Sequence, residues 1–398
     1  MSAKGADSSD SGRSIISQRV ASLSPSGIRR FFDLLATMDD VISLGVGEPD
    51  FATPWHISEA AISGVEKGYT MYTSNKGMPE LRLELARSLS ERYGAEYDPE
   101  TELLITVGVS EGLDLAMRSI LNPKDQVIIP EPTYVSVGPC VVLAGGVQTS
   151  VPTTAENSFK VRAADIESRI TKRTKAIVLC YPNNPTGAVM DQSSLEEIAD
   201  VARRHDLLVI SDEIYDRLVY GVPHTCFASL PHMKERTILL GGFSKAYAMT
   251  GWRVGYAAAR AEIIEAMTKI HQYTMLCAPI TAQMAAIEAL RSGDAAAIEM
   301  VANYDRRRRV MVRGLNDIGL TCFEPRGAFY VFPSIRATGL SSQDFAEQLL
   351  MEERVAVVSG SAFGESGEGH VRCCYATSLD DIKEALKRMK RFMSNHTK

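Results

Sequence analysis

Between Thr101 and Tyr256 the chain repeats one pattern, a short β-rich and nearly continuous apolar run followed by an amphipathic helical stretch. This alternation restricts the fold more than any other feature. Strands that are apolar on both faces need helices on both sides of a mostly parallel sheet. Leu103–Val107, Gln126–Ile129, Ala176–Cys180, Leu207–Ile210 and Thr237–Leu240 read as strands of that sheet, and Ser193–Arg204 as one of its helices. The C-terminal hundred or so residues differ in character. A helical stretch covers Ala285–Leu315, strands are expected at Phe329–Phe332, Val355–Val358 and His370–Tyr375, and a closing helix starts at Leu379. This pattern reads as a smaller α+β domain.

A chain of 398 residues is longer than a single hydrophobic core usually supports. We therefore expect a flexible tail over 1–16, an N-terminal segment of the small domain over 17–52, a large domain over 53–290 and the rest of the small domain over 291–398. The first 13 residues are polar and rich in Ser, Gly and Asp, with no apolar segment of the secretory kind, and no later run is long enough to span a membrane. With 43 Lys and Arg against 49 Asp and Glu, the net charge of −6 gives no general attraction for nucleic acid. The Arg306–Arg309 run reads as a solvated helix face. Seven scattered cysteines, with no zinc-type Cys-x-x-Cys pair, suit reduced thiols in the cytoplasm and no metal site.

In open parallel sheets ligands bind beyond the carboxyl ends of the strands, so the loops leaving them hold the candidate site. Three are chemically unusual. Ala176–Cys180 exits into Tyr181-Pro182-Asn183-Asn184-Pro185-Thr186-Gly187, Leu207–Ile210 into Ser211-Asp212-Glu213-Ile214-Tyr215, and Thr237–Leu240 into Gly241-Gly242-Phe243-Ser244-Lys245. Each has an ordinary explanation on its own: turn chemistry for Asn-Pro-Thr-Gly, a helix cap for Asp212, a solvated amine for Lys245. A fourth run, Gly108-Val109-Ser110-Glu111-Gly112, leaves a strand and opens a helix, where free N–H groups and the helix dipole favour an anion; here the plain alternative is that Ser110 only caps the helix.

Taken in order, these segments resemble those of the class I aminotransferases, pyridoxal-phosphate enzymes of fold type I. The resemblance rests on Gly47-Glu48-Pro49-Asp50-Phe51, Tyr72 ahead of Gly77, Pro79-Glu80-Leu81-Arg82, Asn184-Pro185-Thr186-Gly187, Asp212-Glu213-Ile214-Tyr215, Ser244-Lys245 with Gly251-Trp252-Arg253-Val254-Gly255, and Arg372. It covers nearly the whole chain. It implies a large domain with a seven-stranded-type sheet that binds pyridoxal 5'-phosphate, with Lys245 joined to the cofactor as a Schiff base and, once freed, moving the substrate proton.

The same resemblance gives the other residues their expected parts. Asp212 would pair with the pyridine nitrogen, Tyr215 and Asn184 would bond the ring's phenolic oxygen, and Tyr134 would stack on the ring. Val109, Ser110, Glu111, Ser244 and Arg253 would cradle the phosphate, with Tyr72 reaching it from the partner subunit of a homodimer. Arg372 would clamp the substrate carboxylate, helped by the Gly47 backbone and Asn184.

The implied reaction moves an amino group from an L-amino acid to a 2-oxo acid. In relatives specific for aspartate a further basic residue often lies near the phosphate-loop helix. The positions here are Ser110 and Glu111, so aromatic or broad-range donors stay as open as aspartate. Carbon–sulfur β-lyases and aminocyclopropane-carboxylate synthases share most of these motifs and form the alternative. A regulator built on the same domain would need a DNA-binding module that Met1–Leu34 is too short and too polar to supply.

Overall fold

The structure, a computed structural model, describes residues 15–23 and 38–396. Most of the expected tail over 1–16 therefore lies outside the described residues. Twelve strands are described: β1 (Ile42–Ser43), β2 (Leu103–Thr106), β3 (Gln126–Glu131), β4 (Val147–Pro152), β5 (Thr174–Cys180), β6 (Leu208–Asp212), β7 (Thr237–Gly242), β8 (Gly255–Ala258), β9 (Tyr330–Val331), β10 (Val355–Ala356), β11 (Val358–Ser359) and β12 (Val371–Cys374).

Seven of them form one sheet in the order β2-β8-β7-β6-β5-β3-β4. Only β8 runs antiparallel to its neighbours, β2 and β7. The architecture is the expected α/β sheet flanked by helices. Alternate residues of β5 feed two cores: Ala176 and Val178 pack with the helices Gly108–Ile120 and Ala261–Thr274, Ile177 and Leu179 with the helix Gln192–Arg204. Both faces are thus covered, as its unbroken apolar run requires. Asp191 caps the Gln192–Arg204 helix by accepting the Ser194 N–H at 3.0 Å.

Two strands of the sheet are absent from the sequence expectation. β8 reads Gly-Tyr-Ala-Ala, poor in β-formers, and β4 reads Val-Gln-Thr-Ser-Val-Pro, a half-polar edge strand. The expected Val355–Val358 strand is two strands in two small sheets. β10 pairs parallel with β1, whereas β11 pairs antiparallel with β12, which also pairs with β9.

The expected Ala285–Leu315 stretch is also divided, into helices Ile280–Ser292 and Asp294–Asp317. At the break a Cβ on Gly293 would lie 2.5 Å from the Ala289 carbonyl and 2.7 Å from the Tyr247 ring. The Arg306–Arg309 run is only half solvated. Arg306 and Arg309 are exposed, but Arg307 is buried against Asp50 at 2.7 Å and Arg308 against Glu324 at 2.8 Å. Both buried arginines also lie over aromatic rings, those of Phe51 and Tyr220 respectively, which covers their apolar stems. Among the described residues no helix is long and apolar enough to cross a membrane, and all seven cysteines are free thiols.

Candidate active site

Strand register brings the site together. In the sheet Cys180 stands beside Asp212, and Asp212 beside Leu240, so β5, β6 and β7 end almost in line. Their exits deliver Asn184, Asp212 and Lys245 to one cavity of about 400 Å³. Val109, Ser110, Tyr134, Tyr215, Ser244, Arg253, Gly47 and Arg372 also line it. Glu111 does not: its carboxylate turns inward to His271 and the Val107 N–H. Tyr72, expected to serve a partner subunit's site, is 80% exposed on this chain.

The plain alternatives for several residues fall away. Asn183, not Asn184, does the turn work, accepting the Thr186 N–H at 3.1 Å and leaving Asn184 for the cavity. Asp212 precedes no helix and, among the described residues, accepts only the Ile214 N–H, at 3.2 Å. Ser110 is not a cap, because the helix starts two residues earlier at Gly108. Lys245 is no solvated surface amine. Its Nζ donates to the Gly47 carbonyl at 2.7 Å and lies 5.8 Å from the Tyr215 ring centre and 5.7 Å from that of Phe329.

Burial sets the charges. It pushes the Lys245 amine down to about 8, helped by the cations Arg372 and Arg253 and opposed by Cys374 and Glu48. It raises the Asp212 carboxyl to about 6, against the Ile214 hydrogen bond and the nearby Lys245 amine. The Tyr215 phenol is raised well above its ordinary value, chiefly by burial and then by the Tyr330 hydroxyl 2.6 Å away.

Arg372 is 4% exposed, yet among the described residues no carboxylate pairs with it. Nη1 donates to Asn184 Oδ1 at 2.9 Å and Nη2 to the Gly45 carbonyl at 2.6 Å, while the buried Nε has no partner among the described residues. The guanidinium is held between the Tyr330 and Phe363 rings, at 4.6 and 4.9 Å. Asp212, 6% exposed, likewise has no cation in an ion pair among the described residues. A buried charge without a partner is costly, so each suits a ligand group of opposite sign.

The third charged region is at the Gly108–Ile120 helix. Gly108 has φ +73, and a Cβ there would meet Arg253 Nη2 at 2.6 Å. On the other side a Cβ at Gly255 would meet the Val109 nitrogen at 2.8 Å. Arg253 itself has φ +54, a strained conformation for a side-chain residue, and Nη1 is tied to the Thr250 carbonyl at 2.9 Å. The helix N-terminus and one guanidinium thus face the same space, which suits a phosphate. Pyridoxal phosphate fits this lining, with an amine, an anion for a cationic ring nitrogen and a phosphate cradle around one space.

Sequence reasoning passed over Tyr330, Glu48, Thr250, Gly45 and Cys180, all of which line the cavity. For Tyr330 the signal was its place in Gly327-Ala328-Phe329-Tyr330; its reach to Tyr215, 115 positions away, could not be read from spacing.

Comparison with known proteins agrees with this geometry. The family model for aminotransferase class I and II matches residues 39–389. An aspartate aminotransferase of Pyrococcus abyssi is 46% identical, over 95% of this chain and 98% of its own. The aromatic-amino-acid aminotransferase 2 of Thermococcus litoralis is 44% identical over the same shares of the two chains. The crystal structure of an aromatic aminotransferase from Pyrococcus horikoshii superimposes with a TM-score of 0.88 at 45% identity, over 92% of this chain and 99% of that one. The chain therefore belongs to the class I and II aminotransferases, a family that uses pyridoxal phosphate, and is a transferase of amino groups.

Proposed function

We propose that the chain uses pyridoxal 5'-phosphate, held at Lys245, to move the amino group of an L-amino acid to a 2-oxo acid. One observation carries the reading: a buried cation, Arg372, and a buried anion, Asp212, face one cavity with Lys245, and neither is neutralised by the described chain. The cofactor, when bound, supplies the electron sink that acidifies the substrate α-carbon. Asp212 keeps the ring nitrogen protonated, and Tyr215 and Asn184 offer hydrogen bonds to the phenolic oxygen. Tyr134 covers the ring face. Val109, Ser110, Ser244 and Arg253 hold the phosphate. Arg372 and Asn184 hold the α-carboxylate, and the Lys245 amine, lowered towards neutral pH, moves the proton.

The Gly47 carbonyl accepts from Lys245, which leaves its backbone N–H as the group that would help hold the substrate carboxylate.

The names of the relatives support an acidic or an aromatic donor. We also propose a cytoplasmic homodimer divided as the sequence suggests, with 17–52 in the small domain. The β1–β10 pairing supports that assignment of 17–52. The exposed side chains of Trp55, Tyr69, Met71, Tyr72 and Tyr273 support a second copy as the cover for this surface, with Tyr72 reaching its partner's phosphate.

The test mixes purified protein with a panel of L-amino acids and no acceptor, following cofactor absorbance and keto acid release. Transfer converts the bound cofactor to its amine form with stoichiometric keto acid. Release of ammonia and pyruvate with the cofactor unchanged would mean lyase chemistry instead.

A further inference from the structure

Glu111 belongs to the expected phosphate cradle, yet its carboxylate faces away from the cavity. It bridges two buried groups. Oε2 accepts the Val107 N–H at 2.5 Å, and Oε1 lies 2.6 Å from His271 Nδ1. His271 sits on the Ala261–Thr274 helix and has no exposed surface, and its Nε2 has no hydrogen-bond partner among the described residues. Among the described residues the carboxylate is thus the ring's one side-chain anchor.

An α-helix leaves its first four N–H groups without partners in the helix. Here those are Val107 at the cap, then Gly108, Val109 and Ser110, and Val107 has no side chain that could cap them. Glu111 takes the Val107 N–H, much as the acidic residue of a capping box takes the cap N–H. This fixes the Thr106–Val107 peptide immediately before Gly108, the residue at φ +73 on which Arg253 packs. It also leaves the Val109 and Ser110 N–H groups for the cavity they line. A carboxylate makes a shorter and stronger bond to an N–H than a neutral acceptor does.

We propose that Glu111 and His271 form a positioning pair for the anion cradle. The pair holds the Val107–Gly108 turn so that the Val109 and Ser110 N–H groups and the Arg253 guanidinium converge on one phosphate. The proposal rests on reading the cavity as a phosphate-cofactor site. Neither side chain touches the ligand; His271 fixes the Glu111 carboxylate, and Glu111 fixes the turn. A merely structural cap would support every ligand of the cavity equally, whereas a positioning pair acts on the phosphate.

The experiment titrates the full chain, stripped of cofactor, with pyridoxal 5'-phosphate, with pyridoxal and with inorganic phosphate, and records the ³¹P resonance of the bound phosphate. Glu111→Ala and His271→Leu should weaken both phosphate-bearing ligands by about tenfold or more, the loss of one charge-assisted hydrogen bond. Pyridoxal should change by less than about twofold, and the ³¹P resonance should shift. His271→Gln, whose amide N–H can reach Glu111, should recover most of the affinity, and this comparison with His271→Leu carries the test if Glu111→Ala does not fold. Equal weakening of pyridoxal and its phosphate, or an unchanged ³¹P resonance and phosphate affinity, would overturn the proposal. If the unaltered chain binds none of the three ligands, the cofactor reading fails first and the pair has nothing to position.

Discussion

The Lys245 amine and the Gly47 carbonyl, 198 positions apart in sequence, meet at 2.7 Å in the lining of the cavity. The bond gives a buried amine one acceptor but no counter-ion, so burial still favours its neutral form and lowers it from 10.5 to about 8. The free amine, which is the form that captures an aldehyde, therefore increases as the pH climbs towards 8 and levels off above it. Stopped-flow absorbance of pyridoxal phosphate added to stripped protein should show a capture rate with that profile. A rate still climbing tenfold between pH 9 and 10 would mean an ordinary lysine. The same shift makes the folded chain bind fewer protons than the unfolded one between pH 8 and 10.5. Its stability relative to Lys245→Met should therefore rise with pH through that window and be lost as the pH falls through 8.

Asp212 tests the electronic part of the site. Asp212→Asn keeps the shape and removes the charge, while Lys245 and the phosphate cradle still hold the cofactor. We expect kcat to fall about 10²- to 10³-fold, the scale for losing one preorganised electrostatic contact, with cofactor content per chain nearly unchanged. Steady-state kinetics and absorbance report the two separately. A kcat within threefold of the parent would remove Asp212 from its assigned part.

What could be read from the sequence follows from how local each signal is. The apolar runs gave β2, β3, β5, β6 and β7, and their exits gave Asn184, Asp212 and Lys245, because burial on both faces and a strand end are short-range properties. β8 stayed hidden because Gly and Ala carry little strand signal, although it is sandwiched between β2 and β7. Tyr330 stayed hidden for the opposite reason: its type is ordinary and only the fold brings its hydroxyl to Tyr215. Glu111 was identified by position alone, and the direction of its side chain depends on His271, 160 residues later. Arg307 and Arg308 looked solvated because the run has four like charges, while their partners Asp50 and Glu324 lie elsewhere in the chain.

Arg372 presents a planar fork fixed by Asn184 and the Gly45 carbonyl and wedged between two aromatic rings. Lysine keeps the charge but neither fills that slot nor forms two parallel bonds to a carboxylate. Arg372→Lys should lower kcat/KM by roughly 30-fold or more, about 2 kcal/mol, mainly through KM. The affinity for a non-reacting dicarboxylate should fall in parallel, as calorimetry would show. If the inhibitor binds unchanged, the carboxylate lies elsewhere.

Gly255 is the cradle glycine hemmed in by backbone. It opens β8, and a Cβ there would sit 2.8 Å from the Val109 nitrogen and 2.9 Å from the Gly108 carbonyl carbon, both of them backbone atoms. Backbone cannot swing aside as a side-chain tip can, so Gly255→Ala must push the helix start away from β8. The Val109 and Ser110 N–H groups would move with it, away from the Arg253 guanidinium. We expect pyridoxal phosphate to bind at least tenfold more weakly, about 1.4 kcal/mol, with a smaller effect on pyridoxal. Overpacking of this kind should also lower stability by about 1–3 kcal/mol, visible as an earlier midpoint in urea. The control is Gly251→Ala, where a Cβ would meet nothing within 4 Å, and both quantities should stay near the parent. If Gly255→Ala binds the cofactor as tightly as that control, the close approach of β8 to the Gly108–Ile120 helix has no part in forming the cradle.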